Sequence, residues 1–111
     1  MPQPIRQATL AAALAATTLS AHAQDGDIAA GHSFAREACS GCHVVEAEQQ
    51  RIPRRIFIGP GFRNIANTRG MTATALRVFL TTSHPKMPNP IVTPEQMADV
   101  TAYILSLHSE P

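Results

Sequence analysis

Residues 39–43 read CSGCH: two cysteines three positions apart, followed at once by a histidine. At that spacing Cys39 and Cys42 share one face of a helical turn, so two thiols can reach two groups on one flat ligand. His43 comes next and can swing beneath the same ligand. This is the pattern for covalent attachment of c-type haem, in which the thiols take the two porphyrin vinyl groups and the imidazole takes the iron. Ser40 and Gly41 are small, which lets the backbone approach the macrocycle. Three other chemistries use the same residues. A disulfide between Cys39 and Cys42 suits an oxidising compartment, though it closes only a very short loop. A thioredoxin-like dithiol expects a βαβ setting, and no stretch alternates at period two for long enough to read as a strand. A zinc site recruiting His43 and His84 lacks the paired ligand spacing usual for zinc.

Helical patterns surround the motif. The first runs from about Asp27 to Cys42, with Ile28, Gly31, Phe34, Ala35, Ala38, Cys39 and Cys42 on one stripe. The second is TATALRVFLTT, with Thr72 as N-cap and Leu76, Phe79 and Leu80 on one side, bounded by Gly70 and Pro85. In the third, Thr93 is the N-cap, Pro94 takes the first helical position and Gln96 closes a capping box. Met97, Val100, Ile104 and Leu107 form its apolar stripe. Between these lie a loop from Val44 to Ile58, carrying Arg51, Arg54 and Arg55, and a GPGF turn at Gly59–Phe62. The expected class is all-α, with about three main helices.

Residues 84–90, HPKMPNP, set one methionine among three prolines. Pro88 pushes Met87 toward extended backbone. Pro85 and Pro90 fix φ and remove freedom from the loop. Such a backbone presents a thioether from a fixed position; the plainer reading is a solvent loop with an incidental methionine. His84 is the rival donor, expected at the end of the second helix, facing outward or capping carbonyls. Met71 and Met97 read as packing residues.

The chain opens with Arg6, a mostly apolar run over Ala8–Ser20, and Ala21-His22-Ala23. That layout is a secretory signal peptide cleaved after Ala23, and the run is shorter than the ~20 apolar residues a membrane span needs. The expected organisation is a removed leader, 1–23, and one domain, 24–111, exported and not integral to the membrane. The sequence holds nine Lys and Arg against eight Asp and Glu. Loss of Arg6 leaves the mature domain balanced, which argues against nucleic acid as a partner. A domain this small, with four Phe, one Tyr and no Trp in the whole chain, needs a staple such as a cofactor.

Taken in order, CSGCH, the Gly59-Pro60 turn, Met87-Pro88 and a C-terminal helix resemble the class I c-type cytochromes, small mono-haem proteins of the bacterial periplasm. The resemblance covers essentially all of residues 24–111. It implies the cytochrome c fold, with one haem c attached through Cys39 and Cys42. It makes His43 the proximal iron ligand and Met87 the distal one. It gives Pro60 a carbonyl facing the second nitrogen of His43, and sets Phe62 against the haem. It implies single-electron carriage and no enzymatic activity. The implied partners are redox proteins: a dehydrogenase, a bc1-type complex or a terminal oxidase. Members of the family cross their first and last helices at a glycine and an aromatic, matched by Gly31 and by Val100 and Tyr103. The sequence departs from them at Ala35, where the usual aromatic stands one place earlier as Phe34. The second helix has no tyrosine to meet the methionine sulfur. A periplasmic thiol-disulfide oxidoreductase using Cys39 and Cys42, and a haem-based gas sensor in which Met87 dissociates, are the competing functions. Arg51, Arg54, Arg55, Arg63 and Lys86 form either a weakly basic docking face for an acidic redox partner or ordinary solvated charge.

Overall fold

The computed structural model describes residue 1 and residues 26–46 and 59–109. Residues 2–25, which hold most of the expected leader, and residues 47–58, which hold Arg51, Arg54 and Arg55, lie outside the described residues. Four helices appear in order: α1 (Ile28–Ala38), α2 (Phe62–Ala66), α3 (Ala73–Thr81) and α4 (Pro94–Ser106). No strand occurs among the described residues, and the all-α expectation holds.

Helix α1 starts where Asp27 accepts a hydrogen bond from the Ala30 amide at 2.9 Å. The Asp27 amide in turn donates to Asp99 Oδ1 at 2.7 Å, which fixes the start of α1 against α4. The helix is shorter than its stripe suggests, for it is capped at Cys39 and not carried through to Cys42. Ser40 Oγ bonds back to the Arg36 carbonyl, a local competitor of helix continuation. Cys39 to His43 nonetheless keeps one turn, because the Cys42 and His43 amides both donate to the Cys39 carbonyl, at 3.2 and 3.0 Å.

Helices α3 and α4 follow their caps. Thr72 Oγ1 accepts from the Ala75 amide at 3.1 Å. In α4, Thr93 Oγ1 accepts from Gln96 N at 3.2 Å while Gln96 Oε1 accepts from Thr93 N at 3.0 Å, a complete capping box. Burial along α4 is wider than a single stripe. Ala98, Val100, Thr101, Tyr103 and Ile104 are all buried, because α4 packs on each of the other three helices.

Helix α2 was not read from the sequence. It has five residues and a glycine N-cap with no side-chain hydrogen bond. Its far end is tied to the chain's C-terminal segment, where Asn67 Oδ1 accepts from the Ser109 amide at 2.9 Å. Its Phe62 and Ala66 join Ala35, Val45, Leu76, Val100, Tyr103 and Ile104 in the buried core.

The α1–α4 crossing is close at Gly31. A Cβ there would collide with the Asp99 carbonyl and lie 2.9 Å from Tyr103 Cβ. Ala35 is fully buried beside it, whereas Phe34 is only partly buried at the core's edge, so the crossing is packed with a small residue where an aromatic is usual. Gly31→Val is expected to destabilise the protein by about 1–3 kcal/mol through overpacking. A urea midpoint unchanged from wild type would show that the helices do not meet this closely.

Candidate haem site

The CSGCH turn follows directly on α1, so the α1–α4 packing fixes its position. Cys39 and Cys42 are free thiols, each half-buried. Burial pushes the Cys39 thiol above its ordinary pKa. A thiol held protonated is poorly suited to thiol-disulfide exchange, which needs a thiolate. Among the described residues no three His, Cys, Asp or Glu side chains gather to hold a metal ion.

His43 is oriented on two sides. Its Nδ1 lies 2.7 Å from the Pro60 carbonyl oxygen. A carbonyl only accepts, so Nδ1–H donates, and the lone pair of the neutral ring sits on Nε2. Gly59 supplies the floor beneath the ring: a Cβ there would fall among the imidazole atoms, 2.6 Å from Nδ1 and 2.9 Å from Nε2. Sequence reading took Gly59 as part of a turn and missed this contact. The Phe62 ring is buried and tilted against His43, with centroids 5.6 Å apart.

Two backbone hydrogen bonds hold Gly59 and Phe62 beside the motif. The Gly59 amide donates to the Cys42 carbonyl at 2.9 Å, and the Phe62 amide to Val44, also at 2.9 Å. Val45 is tethered from the other side, since its carbonyl accepts from the buried Tyr103 hydroxyl at 2.6 Å. His32 stacks on Tyr103 with centroids 4.7 Å apart and reaches Glu46 Oε2 at 2.7 Å. None of these contacts of Tyr103, His32 and Glu46 was legible in the sequence, because each joins residues 14 or more positions apart with no motif between them.

The remaining site residues lie after α3. Met87 is half-buried and its neighbours Lys86 and Pro88 are exposed. His84 neither faces outward nor caps the end of α3, as the sequence suggested. Helix α3 ends at Thr81, and Thr81 and Thr82 hydroxyls take the Arg77 and Val78 carbonyls instead. His84 is half-buried and stacked on Phe79, with centroids 3.6 Å apart and planes 24° apart. Met71 packs at the core's edge just before α3, and Met97 is half-buried within α4. Of the proposed docking charges, Arg63 and Lys86 are described and both are exposed. Arg63 donates to Ser109 Oγ at 3.0 Å.

The donor set fits a covalently held haem. Two unpaired thiols stand on one turn, an imidazole has one nitrogen committed and the other free, and apolar Phe62, Ile65 and Leu80 lie in or against the core. No helix among the described residues is long and apolar enough to cross a membrane.

The cytochrome c family model matches residues 28–108. Cytochrome c-552 of Bradyrhizobium diazoefficiens is 33% identical over 94 residues, covering 85% of this chain and 88% of that protein. No solved structure matches significantly. With that match spanning all four helices, and with Cys39 and Cys42 fitting the attachment motif for covalent haem c, the chain belongs to the cytochrome c family and is an electron-transfer protein rather than an enzyme.

Proposed function

We propose that this protein carries single electrons through a six-coordinate haem c whose iron is held by His43 Nε2 and Met87 Sδ, in the periplasm of its cell. The hydrogen bond from His43 Nδ1 to the Pro60 carbonyl carries this reading. It commits one imidazole nitrogen and leaves the other, with its lone pair, as the donor. Such a partner on the outer nitrogen fixes ring orientation and raises ligand basicity. Met87 sits on backbone that Pro85 and Pro88 restrict, so its sulfur needs little ordering before it binds. When bound, the haem supplies reversible one-electron chemistry at iron, and a thioether opposite an imidazole raises its potential. Were His43 and Met87 both to hold the iron, this chain would leave no open ligand position for substrate or gas. The raised pKa of Cys39 speaks against a thiol-disulfide role.

The cells' redox proteins are the partners on this reading: a dehydrogenase or bc1-type complex as donor and a terminal oxidase as acceptor. Export rests on the Arg6, Ala8–Ser20 and Ala21-His22-Ala23 pattern, with the mature chain running from residue 24 to 111. The intact mass of the secreted product tests both the cleavage point and the thioether-linked tetrapyrrole.

The visible spectrum of the matured protein tests the ligand set. Sharp α and β bands are expected on reduction, and a weak far-red charge-transfer band from sulfur–iron bonding is expected in the ferric state. A colourless product overturns the haem reading. A coloured product without the far-red band overturns Met87, and rapid carbon monoxide binding would then favour the sensor.

A further inference from the structure

The segment from Ser83 to Asn89 carries two side chains able to bind iron, the His84 imidazole and the Met87 thioether. Asn89 Nδ2 donates to Ser83 Oγ at 3.0 Å, which closes the segment at its base. The two donors are three residues apart, so their Cα atoms are separated by at most about 10 Å. Side chains of their length from such neighbouring positions reach overlapping volumes. Imidazole is itself a good iron ligand. Loop position alone therefore does not select the sulfur.

The selecting feature is the stack on α3. His84 lies nearly parallel to Phe79 with ring centroids 3.6 Å apart. Phe79 is in the last turn of α3, a helix capped at its start by Thr72, while His84 is on the loop that follows. Resting on Phe79, the imidazole must give up that contact before it can go elsewhere. We propose that Phe79 is a positioning residue for ligand choice: its ring parks His84 and so reserves the iron for Met87. The proposal rests on the assignment of Met87 as the distal ligand. On the scale of aromatic pairs, losing the stack shifts the balance between sulfur and imidazole ligation toward imidazole by roughly two- to twelvefold.

The test uses the ferric holoprotein with its haem attached, followed in rising urea until the far-red sulfur–iron band is lost. Phe79→Leu removes the stack and keeps an apolar side chain. The band should then be lost at lower urea than in wild type, with a bis-imidazole electron paramagnetic resonance signal growing in its place. Adding His84→Asn to Phe79→Leu should abolish that signal and return the loss of the band toward wild type. Phe79→Tyr, which keeps a ring, should behave as wild type. Equal urea dependence of Phe79→Leu and wild type overturns the proposal. So does an early loss in Phe79→Leu that His84→Asn does not correct, since Phe79 would then support Met87 without His84. A wild-type protein lacking the band before any urea is added overturns the Met87 assignment itself, a separate outcome.

Discussion

Gly59→Ala is expected to disorder the His43 imidazole while leaving the haem covalently attached. The added methyl would fall within the ring, since the Cβ position lies among its atoms and 2.6 Å from Nδ1. The neighbour that must yield is the His43 ring, and moving it breaks the Nδ1–Pro60 hydrogen bond. Overpacking costs about 1–3 kcal/mol, and a lost neutral hydrogen bond costs about 1 kcal/mol more. Out of a total stability of about 5–15 kcal/mol, a combined loss of about 2–4 kcal/mol is large. The thiols of Cys39 and Cys42 are untouched, so the mass should still show the tetrapyrrole. The ferric spectrum should shift toward high-spin iron, and the urea midpoint should fall. Gly61→Ala is the control two residues away. Its Cβ would stand 3.5 Å from the nearest atom, Val44 Cβ, an ordinary contact, and the cost of alanine at an N-cap is at most about 1 kcal/mol. A Gly59→Ala protein with wild-type spectrum and midpoint would mean that the ring does not rest on this residue.

Met87→Ala should remove the far-red ferric band and lower the reduction potential. The fall should be on the order of a tenth or more of the ~0.8 V range over which axial ligands move haem potentials. A thioether is a soft donor that favours the ferrous state, and neither water nor a second imidazole replaces that preference. Potentiometric titration beside wild type measures it. Met71→Leu and Met97→Leu separate a ligand from packing. Met71 lies at the core's edge and Met97 within α4, so these volume-conserving changes should cost less than about 1.5 kcal/mol and leave the potential alone. If one of them removes the band and Met87→Ala does not, the distal ligand is that residue.

Features with a local cause could be read from the sequence. Asp27, Thr72 and Thr93 act on amides three residues away, so their helices declare their own starts. CSGCH is equally local, its chemistry residing in spacing alone. The end of α1 was read several residues too far, because a stripe of apolar positions does not show that Ser40 will take the Arg36 carbonyl. Helix α2 escaped notice because its stability comes from Phe62 and Ala66 entering the core and from Asn67 holding the C-terminal segment. Its caps give no signal. The Gly59–His43 contact and the Phe79–His84 stack were hidden for the same reason. Each depends on where a loop is led in space, and composition carries no trace of that.

The bonds from Gly59 to Cys42 and from Phe62 to Val44 have a consequence for how this chain can vary. They fasten both ends of the stretch between residues 46 and 59 next to the imidazole. Joining two already fastened ends costs entropy that grows only logarithmically, about 0.6 kcal/mol for each doubling of length. Insertions or deletions between those ends therefore draw little on the free energy that orients His43. The orientation of the His43 ring is thereby insulated from how many residues join Glu46 to Gly59.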